Sequence, residues 1–162
     1  MHDYLLNELT ERLGDWHRNE LLWFHEHKGR RISWKDIPNR SLAKVPKGIY
    51  CPEGKDYCLA IKNIIGSEYS DKESILFEHN NGSFYFEYPP EKNLAGMEYH
   101  TNKCTLNCSN KLIPIGLLFQ LSRKPDPTKY LVCGLSLVRY QKDTDVFQFY
   151  GFSYSGKVRF IK

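Results

Sequence analysis

The sequence predicts an α+β chain in which helices come first and a small, highly curved antiparallel β-barrel with one inserted helix follows. Three observations predict it. Leucines recur at helical spacing in the first 46 residues; from Ile49 onward the pattern changes to short runs rich in Val, Ile, Leu, Phe and Tyr; and a helical stretch from about Tyr99 to Asn110 interrupts those runs. The 162 residues are enough for one domain with a core of its own.

Taken in order, Leu5, Leu9 and Leu13 repeat every four residues with Leu6 beside them, and Gly14 stands where a C-terminal cap is expected. Asp15 then caps a second helix through Trp16, Leu22, Trp23 and Phe24, ending near Gly29. Residues 30–46 read as a connector, with a short helical turn from Ser33 to Ile37 before Pro38 and Trp34 anchored on the core. The chain thus divides into a helical segment, 1–46, and a strand-rich domain, 47–162. Strands are expected at Gly48-Ile49-Tyr50, Tyr57 to Ile61, Ser83 to Tyr88, Ile113 to Leu118, Tyr130 to Tyr140 and Val146 to Tyr154. Asn80-Asn81-Gly82 marks a tight turn because Asn-Gly tolerates positive φ. Pro89-Pro90 ends the aromatic strand, since proline cannot donate to the ladder.

Composition narrows the function classes. With 41% apolar, 26% charged and 14% aromatic residues the chain has the make-up of a folded, water-exposed domain. The start has no basic-then-apolar leader and no apolar run approaches the ~18 residues that span a membrane, so a cytoplasmic protein with no membrane partner is expected. Five cysteines, an odd number, argue for reduced thiols rather than a disulfide framework. The net charge of +4 is unevenly spread: residues 47–100 carry five lysines against nine acids, whereas residues 101–142 carry seven Lys/Arg against Asp126 alone. The basic half is the expected side for phosphates, or a solvated face that happens to be basic.

The order of Gly48-Ile49-Tyr50, Gly66-Ser67-Glu68-Tyr69-Ser70-Asp71, Gly82-Ser83-Phe84-Tyr85-Phe86-Glu87-Tyr88, Thr101-Asn102-Lys103, Ile113-Pro114-Ile115-Gly116-Leu117-Leu118 and Tyr130 to Tyr140 resembles the SRA (SET- and RING-associated) domain. More narrowly it looks like the SRA-like module found beside HNH nucleases in McrA-type, modification-dependent restriction enzymes. The resemblance covers roughly two thirds of the chain and rests on order and spacing. It implies a barrel of PUA/SRA type that binds double-stranded DNA and flips a modified cytosine (5-methyl, 5-hydroxymethyl or glucosylated) into a pocket, with cleavage left to a separate nuclease domain or subunit. It implies no cofactor and no catalytic residue of this chain's own. Tyr69 takes the place of one stacking residue and Asp71 that of the acid, which can accept from the exocyclic amine of cytosine. The second stacking position falls within Phe86 to Tyr88, with Phe86 and Tyr88 as the candidates. Asn102 and Lys103 match an Asn-Arg pair at the start of the family's inner helix; Asn102 also suits a helix cap. Lys111, Arg123, Lys124 and Lys129 are candidates for DNA-backbone contact or for plain surface charge.

Other chemistries leave weaker traces. Cys104 and Cys108 lie one helical turn apart and Cys51 and Cys58 lie seven residues apart, short of two tight pairs, so buried thiols and no metal are expected. Nothing after Tyr140 is a histidine, so the HNH half is absent from this chain. Asp36 with Glu53-Gly54-Lys55 is a faint match to a PD-(D/E)xK metal-dependent nuclease, although Pro52-Glu53-Gly54 reads first as a turn. PUA-like barrels also bind RNA, so a reader of RNA or modified RNA bases is the alternative function.

Overall fold

The computed structural model describes residues 2–38, 48–64, 77–121 and 129–160. Its elements are β1 (Tyr4–Leu5), α1 (Leu6–Glu11), α2 (Asp15–Glu26), β2 (Arg31–Ser33), β3 (Gly48–Tyr50), β4 (Ala60–Ile64), β5 (Phe77–Glu78), β6 (Phe84–Tyr88), α3 (His100–Lys111), β7 (Ile115–Gln120), β8 (Lys129–Gln141), β9 (Val146–Gly151) and β10 (Lys157–Val158). The main sheet runs β3-β4-β7-β8-β9-β6-β5, β2 joins it on β8, and β1 pairs with β10 in a small second sheet.

The mixed α+β class, the two N-terminal helices and the inserted helix stand as expected, and three features differ. The strands trace an open order, and no closure between β3 and β5 is present among the described residues. The sheet is not wholly antiparallel: β4 and β7 pair in parallel, Ala60 opposite Gly116 through Ile64 opposite Gln120. Parallel neighbours need a long crossover, and the chain supplies one that contains β5, β6 and α3. The first 46 residues are also not purely helical, because β1 and β2 each give a few residues to a sheet.

Two cores lie on opposite faces of the sheet. Leu6, Leu9, Leu21 and Phe24 of α1 and α2 pack on Leu118, Val132, Leu135, Leu137 and Phe152. On the other face Cys104 and Cys108 of α3 pack on Ile61, Ile115, Leu117, Phe86, Tyr88, Phe147 and Phe149. Close approach at two glycines makes this packing tight. A Cβ on Gly116 would stand 2.7 Å from the Phe24 ring, and one on Gly151 2.1 Å from that of Phe84.

Local details refine the helix boundaries. Gly14 is the N-cap of α2 rather than the end of α1, and Asp15 is the first helical residue, paired with Arg18 at 2.8 Å. Trp34 opens a one-turn 3₁₀ helix and stays 45% exposed instead of anchoring on the core, because Asp36 closes that turn locally through the Ser33 N–H and hydroxyl. The expected turn at Asn80-Asn81-Gly82 is present: Gly82 has φ +87° and donates to the His79 carbonyl, while Asn81 Oδ1 accepts from Ser83. The C-terminal carbonyls of α3, at Lys111 and Leu112, accept from the guanidinium of Arg12. All five cysteines are free thiols, and burial raises the pKa of Cys51, Cys58, Cys104 and Cys108, the last to about 12.

Asn102 is fully buried in the first turn of α3. Its carbonyl oxygen accepts from the Glu91 N–H at 2.7 Å, and its amide donates to the carbonyls of Glu91 (2.9 Å) and Gly96 (3.0 Å). The side chain is therefore a clamp on residues 91–96 and not a helix cap. Asn102→Ala leaves those backbone groups unpaired and is expected to cost ~1–3 kcal/mol in denaturant unfolding. Asn102→Asp is expected to do no better, because it sets a carboxylate oxygen against two carbonyls. A native-like midpoint for either variant would contradict the clamp.

His17 is 7% exposed and stacks on Tyr57 with ring centroids 3.8 Å apart. Desolvation, helped by Lys55 and opposed by Asp56, lowers its pKa from 6.5 to about 4. Between those values the unfolded chain binds a proton that the folded chain refuses, so stability falls as the pH falls through that window, by about 3 kcal/mol once below it. His17→Phe keeps the stack and removes this titration. The difference in urea midpoint between about pH 7 and about pH 4.5 is expected to shrink in the variant, and an unchanged difference would count against the assignment.

Candidate nucleic-acid interface

The aromatic strand β6 sorts its residues by alternation: Phe84, Phe86 and Tyr88 are buried, whereas Tyr85 and Glu87 are only partly buried and point to the opposite face. Across the ladder to β9, Tyr85 lies opposite Tyr150 and Glu87 opposite Gln148; across β8 to β9, Arg139 lies opposite Gln148. These five side chains form one hydrogen-bonded row. Tyr85 Oη donates to Glu87 Oε2 at 2.5 Å, and Arg139 donates to Gln148 Oε1 at 3.3 Å and to Tyr150 Oη at 2.8 Å. The Arg139 guanidinium lies 5.3 Å from the Tyr150 ring centroid and 5.2 Å from that of Phe160. Burial and the Glu87 carboxylate raise the Tyr85 pKa, so its phenol stays neutral.

This row borders a cavity of about 640 Å³, lined among others by Tyr85, Gln148, Tyr150, Asn81, Lys157 and Arg159. The volume is that of a small-molecule site. Two tyrosines supply apolar wall, the amide and hydroxyl groups supply donors and acceptors, and the two cations add positive charge. Arg159 is engaged with Asp3 at 2.8 Å. The arrangement suits recognition of a flat, polar-edged group.

The sequence-derived candidates fall in several places. Tyr69, Asp71, Arg123 and Lys124 lie outside the described residues. Residues 65–76, which carry Tyr69 and Asp71, run directly into β5, whose Phe77 is opposite Tyr85 in register. Phe86 and Tyr88 are core residues, 0% and 1% exposed, and neither ring has a free face. The physical reason is the strand alternation that puts both on the α3 side. Of the β6 rings, Phe84 and Tyr85 line the cavity, and Tyr85 is the one on its more open face. Asn102 is the buried clamp, and Lys103 makes an exposed ion pair with Glu98 at 3.4 Å. Lys111 is exposed and pairs with Asp56 at 3.3 Å; Lys129 is exposed at the start of β8. Asp36 and Glu53 belong to no group of three clustered metal-ligating side chains among the described residues.

Sequence reasoning missed Tyr85, Gln148, Tyr150, Arg139 and Lys62. For the first three the signal was present, as the polar-side partners of Phe84, Phe86 and Phe149 in a period of two. Lys62 is 2% exposed in β4, its ammonium 5.7 Å from the Tyr130 ring centroid, and burial lowers its pKa to about 8. It lies three positions before the segment that carries Tyr69, and its signal was a lysine directly following the apolar run Leu59-Ala60-Ile61.

No protein-family model matches the chain, and no curated protein does. Among solved structures it is similar to KRYPTONITE in complex with mCHG DNA and SAH, at a TM-score of 0.43 and 12% identity over 98% of this chain and 42% of that one. It is also similar to an SUVH5 SRA complex with fully methylated CG DNA, at a TM-score of 0.33 and 14% identity over 71% of this chain and 72% of that one. The chain spans about two fifths of the KRYPTONITE chain. Likenesses at these TM-scores and identities are too partial to carry a function across.

Proposed function

We propose that this chain is a reader of double-stranded DNA that inspects a modified cytosine by base flipping, and that it serves as the specificity part of a modification-dependent restriction or defence system whose nuclease is a separate domain or subunit. The observation that carries the proposal is the cavity walled by Tyr85 and Tyr150, beside the strand at which the segment bearing Tyr69 and Asp71 arrives. A base turned out of the duplex needs a flat ring for stacking and polar groups for its edge. Tyr85 with Tyr69 supplies the rings, and Gln148 with Asp71 the polar groups. Lys157 and Arg159 at the cavity, with the cation-rich residues 101–142, supply charge for the phosphates. The order of sequence segments shared with SRA-like modules supports the same ligand.

The test is binding of one short duplex at fixed salt, carrying cytosine, 5-methylcytosine, 5-hydroxymethylcytosine or glucosylated cytosine at a single site, with the matching single strands and RNA alongside. One modified duplex is expected to bind best. Tyr69→Ala and Tyr85→Ala are each expected to lower that affinity ~10-fold or more, since stacking contributes ~1–3 kcal/mol per base. Weak salt-dependent binding to unmodified duplex is expected to persist in both variants. Equal affinity for all four duplexes would sink the proposal, and tighter binding to RNA would replace it with an RNA reader. Mg²⁺-dependent cleavage lost in Glu53→Ala would replace it with a nuclease.

A further inference from the structure

Three donor atoms from distant parts of the sequence meet at the start of α3. His100 is the first residue of that helix and Cys104 lies one turn on, so the two share a face. Cys51 directly follows β3 and reaches the same point, and the donor atoms of all three residues lie within 4.8 Å of one another. The Cys104 sulfur is 3.9 Å from His100 Nδ1 and 4.0 Å from Nε2. We propose that Cys51, His100 and Cys104 form a binding site for a thiophilic, tetrahedral divalent cation of the Zn²⁺ class, with a water molecule in the fourth position.

The donor set decides the class of ion. Two sulfurs and an imidazole suit Zn²⁺ and its thiophilic neighbours, and do not suit Mg²⁺ or Ca²⁺, which take oxygen. The dimensions agree. Zn–S of ~2.3 Å and Zn–N of ~2.0–2.1 Å place the ligand atoms of a tetrahedral centre roughly 3.5–3.8 Å apart, so the three groups need to close by about an ångström at most. His100 is exposed and can turn its ring to do so, while Cys51 and Cys104 are held by the strand end and the helix. In the metal-free chain the thiols of Cys51 and Cys104 face the carbonyls of Tyr57 and Lys55 at 3.2 and 3.7 Å. On binding, both thiol protons pass to solvent and the two thiolates coordinate the cation.

The other two cysteines nearby are spent on packing. Cys108 accepts from the Cys58 N–H at 3.3 Å and donates to the Cys58 carbonyl at 3.5 Å, and both are fully buried. They join α3 to the strand side through the core, whereas the proposed site joins the same elements at the surface. The Asn102 clamp lies between His100 and Cys104 in sequence and fixes the turn that presents them. A cation here would tie α3 to the end of β3.

The test uses the full chain, reduced and stripped with a chelator, and titrated with Co²⁺ as a spectroscopic stand-in for Zn²⁺. The expected result is a single Co²⁺ bound per chain, with the visible ligand-field bands of a tetrahedral thiolate centre, displaced by Zn²⁺ and accompanied by a higher thermal midpoint. Cys51→Ser is expected to abolish the bands. His100→Ala, at an exposed position, is expected to keep the far-UV circular dichroism of the parent and to weaken apparent affinity at least ~10-fold. His79→Ala, an exposed histidine at the cavity, is expected to leave the bands unchanged. Absence of bands in the reduced parent chain, or bands indifferent to both Cys51→Ser and His100→Ala, would overturn the site. A Cys51–Cys104 disulfide trapped on lysis, with no metal taken up after reduction, would overturn it in favour of a redox pair.

Discussion

The arrangement depends on one constraint, the need to pair both edges of the thirteen-residue strand β8. Eight of its thirteen residues are buried, so the backbone N–H and C=O groups of that stretch cannot turn to water and need partners. β7 covers one edge from Tyr130 to Ser136, but β9 covers the other edge only from Ser136 to Gln141. β2 fills the remaining stretch, with Arg31 to Ser33 opposite Leu131 to Lys129. The N-terminal segment is thereby tied to the sheet. Lys28 follows it in, donating to the Cys133 carbonyl at 2.8 Å and lying over Gly134, whose φ of +111° sits beside the register shift at Leu117/Leu118. α2 then lies on the same face, with Phe24 against Gly116 of the neighbouring strand.

Once both faces of the sheet are covered by helices, the alternation of each strand decides what remains for function. The α3 side is closed by aromatic rings of β6 and β9 and by the thiols of α3. On the other side α1 and α2 cover only the β7–β8 end. The half of the sheet made by β6 and β9 therefore keeps a partly open face, and its side chains there are Tyr85, Glu87, Gln148 and Tyr150. A site in this fold thus appears where the helical cover stops.

Local signals carried much of this into the sequence. Leucine periodicity located α1 and α2, β-branched and aromatic runs located β6, β8 and β9, and Asn-Gly located the turn before β6. Strand ends moved by two or three residues because packing, not propensity, sets where a ladder starts; the run Tyr57 to Ile61 pairs only from Ala60. The parallel β4–β7 pair was invisible because nothing local distinguishes a parallel neighbour from an antiparallel one across a crossover of fifty residues. β2 was invisible for a similar reason, since Arg31-Ile32-Ser33 has no strand pattern of its own and is recruited by the bare edge of β8. At the site, the family resemblance points to Phe86 and Tyr88, whereas strand alternation assigns both, with Phe84, to the buried face. His100 was overlooked because a histidine four residues from a cysteine acquires meaning only when Cys51 is folded against it.

The hydrogen-bond row also fixes the pattern of donors that the cavity offers. Arg139 gives two N–H groups to Gln148 Oε1, which fixes the orientation of the amide, and Gln148 in turn hydrogen-bonds Tyr85. Tyr150 Oη accepts from Arg139 as well. The Tyr85 proton is committed to Glu87, so that ring presents a neutral face and little hydrogen-bonding demand. The row thus combines the donors of Arg139 with the carboxylate acceptor of Glu87. Along one wall the cavity therefore offers the Tyr85 phenol and the Gln148 amide, each held in place by a charged partner, the Glu87 carboxylate for one and the Arg139 guanidinium for the other.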